Sequence, residues 1–258
     1  MPQTKIVFFD IDGTLIDMQA KKITPKMLET LHRLQDRGIK ICIATGRSPM
    51  VLPKIDGVAF DAYLTFNGSL CYDRKGVIFS NPIPHKDVVR FIQNAAALGR
   101  PVCISTRDRL AANGTDTDLT DYFSIANEPV PVADDFDAVC AEDIYQLMLG
   151  CRPKDYPALL DGAPGAKITA WWDRAVDVIP AGGGKGIGIE KMLAYYGLDK
   201  AEALAFGDGN NDREMLQAVG TGVAMENGSP ELKAIADEIC GPVYEDGIYH
   251  YCADKGLI

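Results

Sequence analysis

Apolar residues in this chain gather into short unbroken runs, and helical stripes separate one run from the next. Residues 5–10, 40–44 and 62–66 lack the alternation of a half-wetted strand, so each predicts a strand buried on both faces. Between the first two, Thr24-Pro25 supplies an N-cap followed by proline at the first helical position. Leu28, Leu31 and Leu34 carry the apolar stripe, and Gly38 stops it. The last third repeats this order, with helices predicted over 186–196, 212–218 and 230–236 and strands over 203–206 and 221–225. Strands alternating with crossover-sized helices predict an α/β fold built on a doubly wound parallel sheet.

The middle of the chain reads differently. Prolines recur at 101, 129, 131, 153, 157 and 164, and acidic connections such as Asp134-Asp135-Phe136-Asp137 appear. Strands are predicted over 102–105, 146–150, 167–172 and 176–179, spaced by helical segments. Residues 82–182 therefore read as an α+β module inserted between two parts of one core, 1–81 and 183–258.

Composition narrows the function classes. A chain of 258 residues with 47% hydrophobic and 24% charged residues can bury a substantial core. Its net charge of −10 argues against nucleic acid as a partner. No apolar run reaches the roughly 18 residues of a membrane span, and the chain enters its first strand without a signal-peptide layout, so the expected compartment is the cytoplasm. Seven scattered cysteines without a Cys-x-x-Cys pair fit reduced thiols better than a disulfide frame or a zinc site.

Candidate chemistry stands where predicted strands end. Asp10 and Asp12 close the first run with Gly13 behind them, in the place where open parallel sheets gather ligands. Adjacent carboxylates repel, and a cation beside them keeps both ionised. Thr45-Gly46-Arg47 follows the second strand and offers a hydroxyl and a bare amide to an anion, though a plain strand-to-helix turn would look the same. Gly182-Gly183-Gly184-Lys185-Gly186 opens a helix but lacks Walker A spacing; alone it is as much a hinge as an anion site. Gly207-Asp208-Gly209-Asn210-Asn211-Asp212 suits a hard cation such as Mg²⁺ and does not fit a calcium loop, though a polar helix N-terminus capped by Asp212 would look the same. His32, His85 and His250 match no metal-ligand spacing and read as structural or solvated. Trp171 and Trp172 should point to opposite faces of one strand, one of them into the core.

Taken in order, these four sites resemble the motifs of the haloacid dehalogenase superfamily: Asp10-Ile11-Asp12-Gly13-Thr14, Thr45-Gly46-Arg47, Lys185-Gly186, and Gly207-Asp208 with Asn211-Asp212. Only 34 residues separate Asp10 from Thr45, whereas 139 separate Thr45 from Lys185, so the insertion resembles the C2 type of cap. Phe66-Asn67-Gly68 and Gly222-Val223-Ala224-Met225 resemble the Cof-like (type IIB) members. Glu226-Asn227-Gly228 departs from the Gly-Asn-Ala common there, which leaves a substrate contact around Asn227 in doubt.

The resemblance implies a Rossmann-like core and a Mg²⁺-dependent phosphatase acting on a small phosphate ester, such as a sugar phosphate. It implies Asp10 as nucleophile and Asp12 as acid/base. The metal would be held by the carboxylates of Asp10 and Asp208 and the carbonyl of Asp12. Thr45, Gly46, Lys185 and Asn211 would bind or orient phosphate, Asp212 would support the metal shell, and Arg47 would face the leaving group or pair at the surface. A phosphotransferase or mutase could use the same intermediate, and a phospho-metabolite sensing module would be phosphorylated without turnover. The absence of a cap between Asp10 and Thr45 counts against the first, and the acid/base at Asp12 against the second.

Overall fold

The computed structural model describes residues 3–125, 128–170 and 173–258. In chain order its strands are Ile6–Phe9 (β1), Lys40–Ala44 (β2), Ala62–Thr65 (β3), Leu70–Asp73 (β4), Gly76–Ser80 (β5), Cys103–Ser105 (β6), Leu110–Ala112 (β7), Gln146–Gly150 (β8), Ala166–Thr169 (β9), Ala175–Pro180 (β10), Ala203–Gly207 (β11), Thr221–Met225 (β12) and Glu238–Cys240 (β13). Eight form one sheet in the order β13-β12-β11-β1-β2-β3-β4-β5, and five form another, β7-β6-β8-β10-β9. The chain divides into two compact units. Residues up to 47, 53–80 and 184–258 carry the first sheet, and residues 48–52 and 81–183 carry the second.

In the first unit β1 runs parallel between β11 and β2, with Phe9 in register with Phe206 and Ile43. All four β1 side chains are fully buried, which explains why the run shows no alternation. Ile6 and Phe8 pack with Ile189 and Met192 of the helix Lys185–Tyr196 and with Met215 of the helix Arg213–Ala218. On the other face Phe9 stacks on Phe206 at 5.5 Å, and Tyr251 of the helix Gly247–Asp254 meets Phe206 edge-on at 5.3 Å. Helices thus cover both faces, as the pattern predicted. Each such aromatic or aliphatic burial contributes roughly 1.5–3 kcal/mol.

Two details differ from the sequence expectation. β4 and β5 form an antiparallel hairpin on the edge of the sheet, so only β13 through β3 is parallel. The segment predicted as a helix over 212–218 begins with a tight 3₁₀ turn, Asn210–Asp212, before the helix proper.

In the second unit the five strands pair antiparallel. Val88 and Phe91 of the helix His85–Ala97 and Leu159 of the helix Tyr156–Leu160 cover the Leu147, Leu149, Val176 and Val178 face. Leu119 and Phe123 of the helix Thr117–Ser124 cover Cys103, Ala112 and Met148 on the other. The strand predicted over 167–172 is β9; Trp171 and Trp172 lie outside the described residues. No described helix is long and apolar enough to cross a membrane.

Candidate active site

Three of the four sequence motifs begin just beyond the C-terminal ends of neighbouring parallel strands. Asp10 follows β1, Thr45 follows β2 and Asp208 follows β11, so strand order alone brings them to one edge. Asp10 is fixed there by its N–H, which donates to the Phe206 carbonyl at 3.0 Å. Lys185, at the start of its helix, supplies the fourth.

The Lys185 side chain is fully buried and its ammonium joins two carboxylates. Nζ donates to Asp10 Oδ1 at 2.6 Å and to Asp212 Oδ1 at 2.5 Å. The second oxygen of Asp212 accepts the N–H groups of Asp208 and Gly209 at 3.0 and 2.9 Å, which folds the 208–212 loop back on itself. Thr14 Oγ1 donates to Asp208 Oδ1 at 3.1 Å. Gly13 sits at φ +82° directly against that carboxylate, where a Cβ would collide with it. Asn227 secures the same turn: its Nδ2 donates to the Gly13 carbonyl and its Oδ1 accepts the Val243 N–H. Asn227 thus acts here as a clamp, which accounts for its presence without any ligand contact.

Asp10, Asp208 and Asp212 bring carboxylate oxygens within 4.8 Å of one another around a single ammonium. Burial, outweighing the attraction of Lys185 and reinforced by the repulsion of Asp212 and Asp208, pushes the Asp10 carboxyl well above its ordinary range. Burial and Asp212 push Asp208 up to about 7. Burial opposes the charge on Lys185, but Asp10 and Asp212 overcome it and hold the ammonium protonated. Three acids against one base leave negative charge that a hard divalent cation would relieve, and an all-oxygen donor set suits such an ion.

Asp12 stands outside this cluster. Arg47 forks onto it, Nε to Oδ2 at 2.8 Å and Nη2 to Oδ1 at 2.6 Å. The Asp12 carbonyl accepts no hydrogen bond among the described residues, and the N–H groups of Asp12 and Gly46 likewise donate to none. Thr45 is buried, and its hydroxyl oxygen accepts the Arg47 N–H at 3.1 Å. Asn211 bonds neither to Lys185 nor to the acids; its Nδ2 donates to Asn67 Oδ1 at 3.3 Å. Sequence reasoning brought together Asp10, Asp12, Thr45, Gly46, Arg47, Lys185, Asp208 and Asn211, gave Asp212 only a supporting place and gave Asn67 none. An open cleft of about 690 Å³ lies beside Asp208, lined also by Gly13, Met18, Asn227 and Tyr244.

Comparison with known proteins agrees with this arrangement. The family model of the haloacid dehalogenase-like hydrolases matches residues 7–252. A provisionally named phosphatase of Bacillus subtilis (strain 168), YkrA, is 35% identical over 257 residues, covering 99% of both chains. The solved structure of BT1666, a phosphatase of this superfamily from Bacteroides thetaiotaomicron, aligns with a TM-score of 0.92 at 31% identity, covering 99% of this chain and 96% of that one. The sugar phosphatase BT4131, described as subclass IIB, aligns with a TM-score of 0.88 at 28% identity over 99% of this chain and 100% of its own. With the four motifs at one sheet edge and the likeness running end to end, the chain belongs to the haloacid dehalogenase-like hydrolases, in their Cof-like, type IIB branch.

Proposed function

We propose that this enzyme hydrolyses a small phosphorylated metabolite, of the sugar-phosphate kind, through an aspartyl-phosphate on Asp10. The observation that carries the reading is the separation of the two acids: Asp10 sits in the lysine–carboxylate cluster, whereas Asp12 is held outside it by Arg47. Two acids in different surroundings can take different roles.

A carboxylate oxygen of Asp10 attacks phosphorus in line; the new P–O bond forms as the bond to the leaving oxygen breaks, and Asp12 gives that oxygen its proton. Water then attacks the same phosphorus, Asp12 takes the water's proton, and the bond to Asp10 breaks to release phosphate. Lys185, the Thr45 hydroxyl and the Gly46 N–H hold phosphoryl oxygens and balance their charge. When bound, Mg²⁺ neutralises charge between the carboxylate nucleophile and the phosphoryl group; Asp10, Asp208 and the Asp12 carbonyl would hold it, with Asp212 supporting the shell. Arg47 is given the task of orienting Asp12 as well as meeting the substrate.

In this reading residues 82–182 form a C2-type cap and carry the selection of the leaving group. The resemblance to a sugar phosphatase supports that substrate class. The cysteines of the chain are free thiols, most of them buried, which suits the cytoplasm as the working compartment. The test is release of phosphate from p-nitrophenyl phosphate. Asp10→Asn and treatment with EDTA should each abolish it, and activity surviving either would overturn the mechanism.

A further inference from the structure

The Phe66-Asn67-Gly68 turn follows β3 and has no role in the reaction as written above. Its backbone is unusual, since both Phe66 and Asn67 take φ near +51°. A bulky phenylalanine in the left-handed region is uncommon and strained. The turn is laced to the second motif: the Phe66 N–H donates to the Arg47 carbonyl and the Asn67 N–H to the Thr45 carbonyl, both at 3.0 Å. Gly68 lies directly on the Gly184 carbonyl and the Lys185 backbone, where any Cβ would collide. Asn67 Oδ1 accepts from Asn211 in the fourth motif. One turn therefore braces three of the four loops that build the site.

The Asn67 carboxamide lies flat over Gly46. A Cβ at Gly46 would stand 3.1 Å from Nδ2 and 3.2 Å from Oδ1. Asn67 is 5% exposed, yet its Nδ2 has no hydrogen-bond partner among the described residues. The atom is not sealed from water either: among the described residues, the side-chain groups closed off without a partner are the hydroxyls of Ser48 and Ser69. A largely buried amide with one end committed and the other without a partner is costly unless something completes it. The neighbouring Gly46 N–H is another donor without an acceptor among the described residues. Two neighbouring donors, the Asn67 amide against Gly46 and the Gly46 N–H itself, present the surface that an anionic oxygen fills.

We propose that Asn67 is a phosphoryl-binding residue: its Nδ2 donates to an oxygen of the phosphoryl group beside the Gly46 N–H. This assignment rests on the phosphatase reading of the site. Its strained backbone holds the carboxamide against Gly46, and the bond from Asn211 to Oδ1 turns Nδ2 toward the ligand. Asn67 thus joins the groups that touch substrate.

The test uses the full-length enzyme and orthovanadate as the phosphoryl mimic, read as inhibition of p-nitrophenyl phosphate hydrolysis and, without turnover, as protection in a thermal melt. Asn67→Gly removes the carboxamide but accepts the left-handed backbone, so it separates donor loss from backbone strain. Asn67→Asp keeps shape and removes the donor. Asn67→Gly should weaken orthovanadate by about 10-fold or more, as loss of a hydrogen bond to a charged group implies. Asn67→Asp should weaken it further by like-charge repulsion, and melting of the ligand-free proteins should stay near that of the wild type. Both variants binding orthovanadate as tightly as the wild type would overturn the assignment of Asn67 alone. A wild type that neither hydrolyses p-nitrophenyl phosphate nor binds orthovanadate would overturn the phosphatase reading, and the assignment with it.

Discussion

At the scale of single residues, the site is organised by a cluster of acids. Asp10, Asp208 and Asp212 come together beside one ammonium, and burial makes the ionised forms of Asp10 and Asp208 harder to hold. The sign of the resulting pH dependence follows. An acid whose folded pKa is raised stabilises the fold most below its unfolded value, and that contribution is lost as pH rises through the folded value. For Asp208 the loss runs from roughly pH 4 to about 7. At Asp208 a cation that needs the ionised form must displace a proton at low pH and meets fewer of them as pH rises through about 7. The rise in melting temperature on adding saturating Mg²⁺ should therefore be larger at about pH 7.5 than at about pH 5.5. Equal shifts at both values would show that these carboxylates do not meet the metal. The Arg47–Asp12 pair belongs to the same scale and joins residues 35 apart in sequence. Motif order put both side chains near one sheet edge, but nothing local in the chain says that the guanidinium forks onto this acid.

At the scale of elements, close backbone approach decides which positions stay small. Gly188 lies inside the helix Lys185–Tyr196, where alanine ordinarily stabilises by about 1 kcal/mol. Here a Cβ would meet the Leu64 Cδ1 at 2.5 Å and the Gly68 Cα at 3.0 Å. Leu64 is fully buried and has little room to withdraw. Overpacking of this kind typically costs roughly 1–3 kcal/mol, so it outweighs helix propensity. Gly188→Ala should lower stability in a urea titration; an increase would mean that the helix can move off the Gly68 turn. The elements also show what the sequence could reveal. The buried strands were legible because runs such as Val7-Phe8-Phe9 have nowhere polar to turn. The β4–β5 hairpin was not, because Tyr72, Asp73, Arg74 and Lys75 break the apolar run at a sheet edge half open to water. The left-handed Phe66 was equally hidden. Its conformation is imposed by bonds to residues 45–47, which no local propensity reports.

At the scale of the whole molecule, chain order and sheet order together make the site. β11, β1 and β2 are neighbours in the sheet although β11 lies some 160 residues beyond β2, so Asp208 reaches Asp10 across an entire inserted unit. Motif order and spacing carried the reading of the core this far because each motif sits at a strand end. The second unit has no comparable anchor, and what its polar residues recognise was not legible. Hydrophobic patterning reports a buried face but not the chemistry a polar face recognises. The central claim concerns Asp10, and it is tested most directly by trapping the intermediate. In the proposed mechanism Asp12→Asn removes the base that turns it over, so acid-quenched enzyme mixed with p-nitrophenyl phosphate and Mg²⁺ should yield a peptide carrying one phosphoryl group on Asp10 in mass spectrometry. Turnover by the wild type with no phosphoryl group on Asp10 in the trapped variant, or with the group on another residue, would contradict the account.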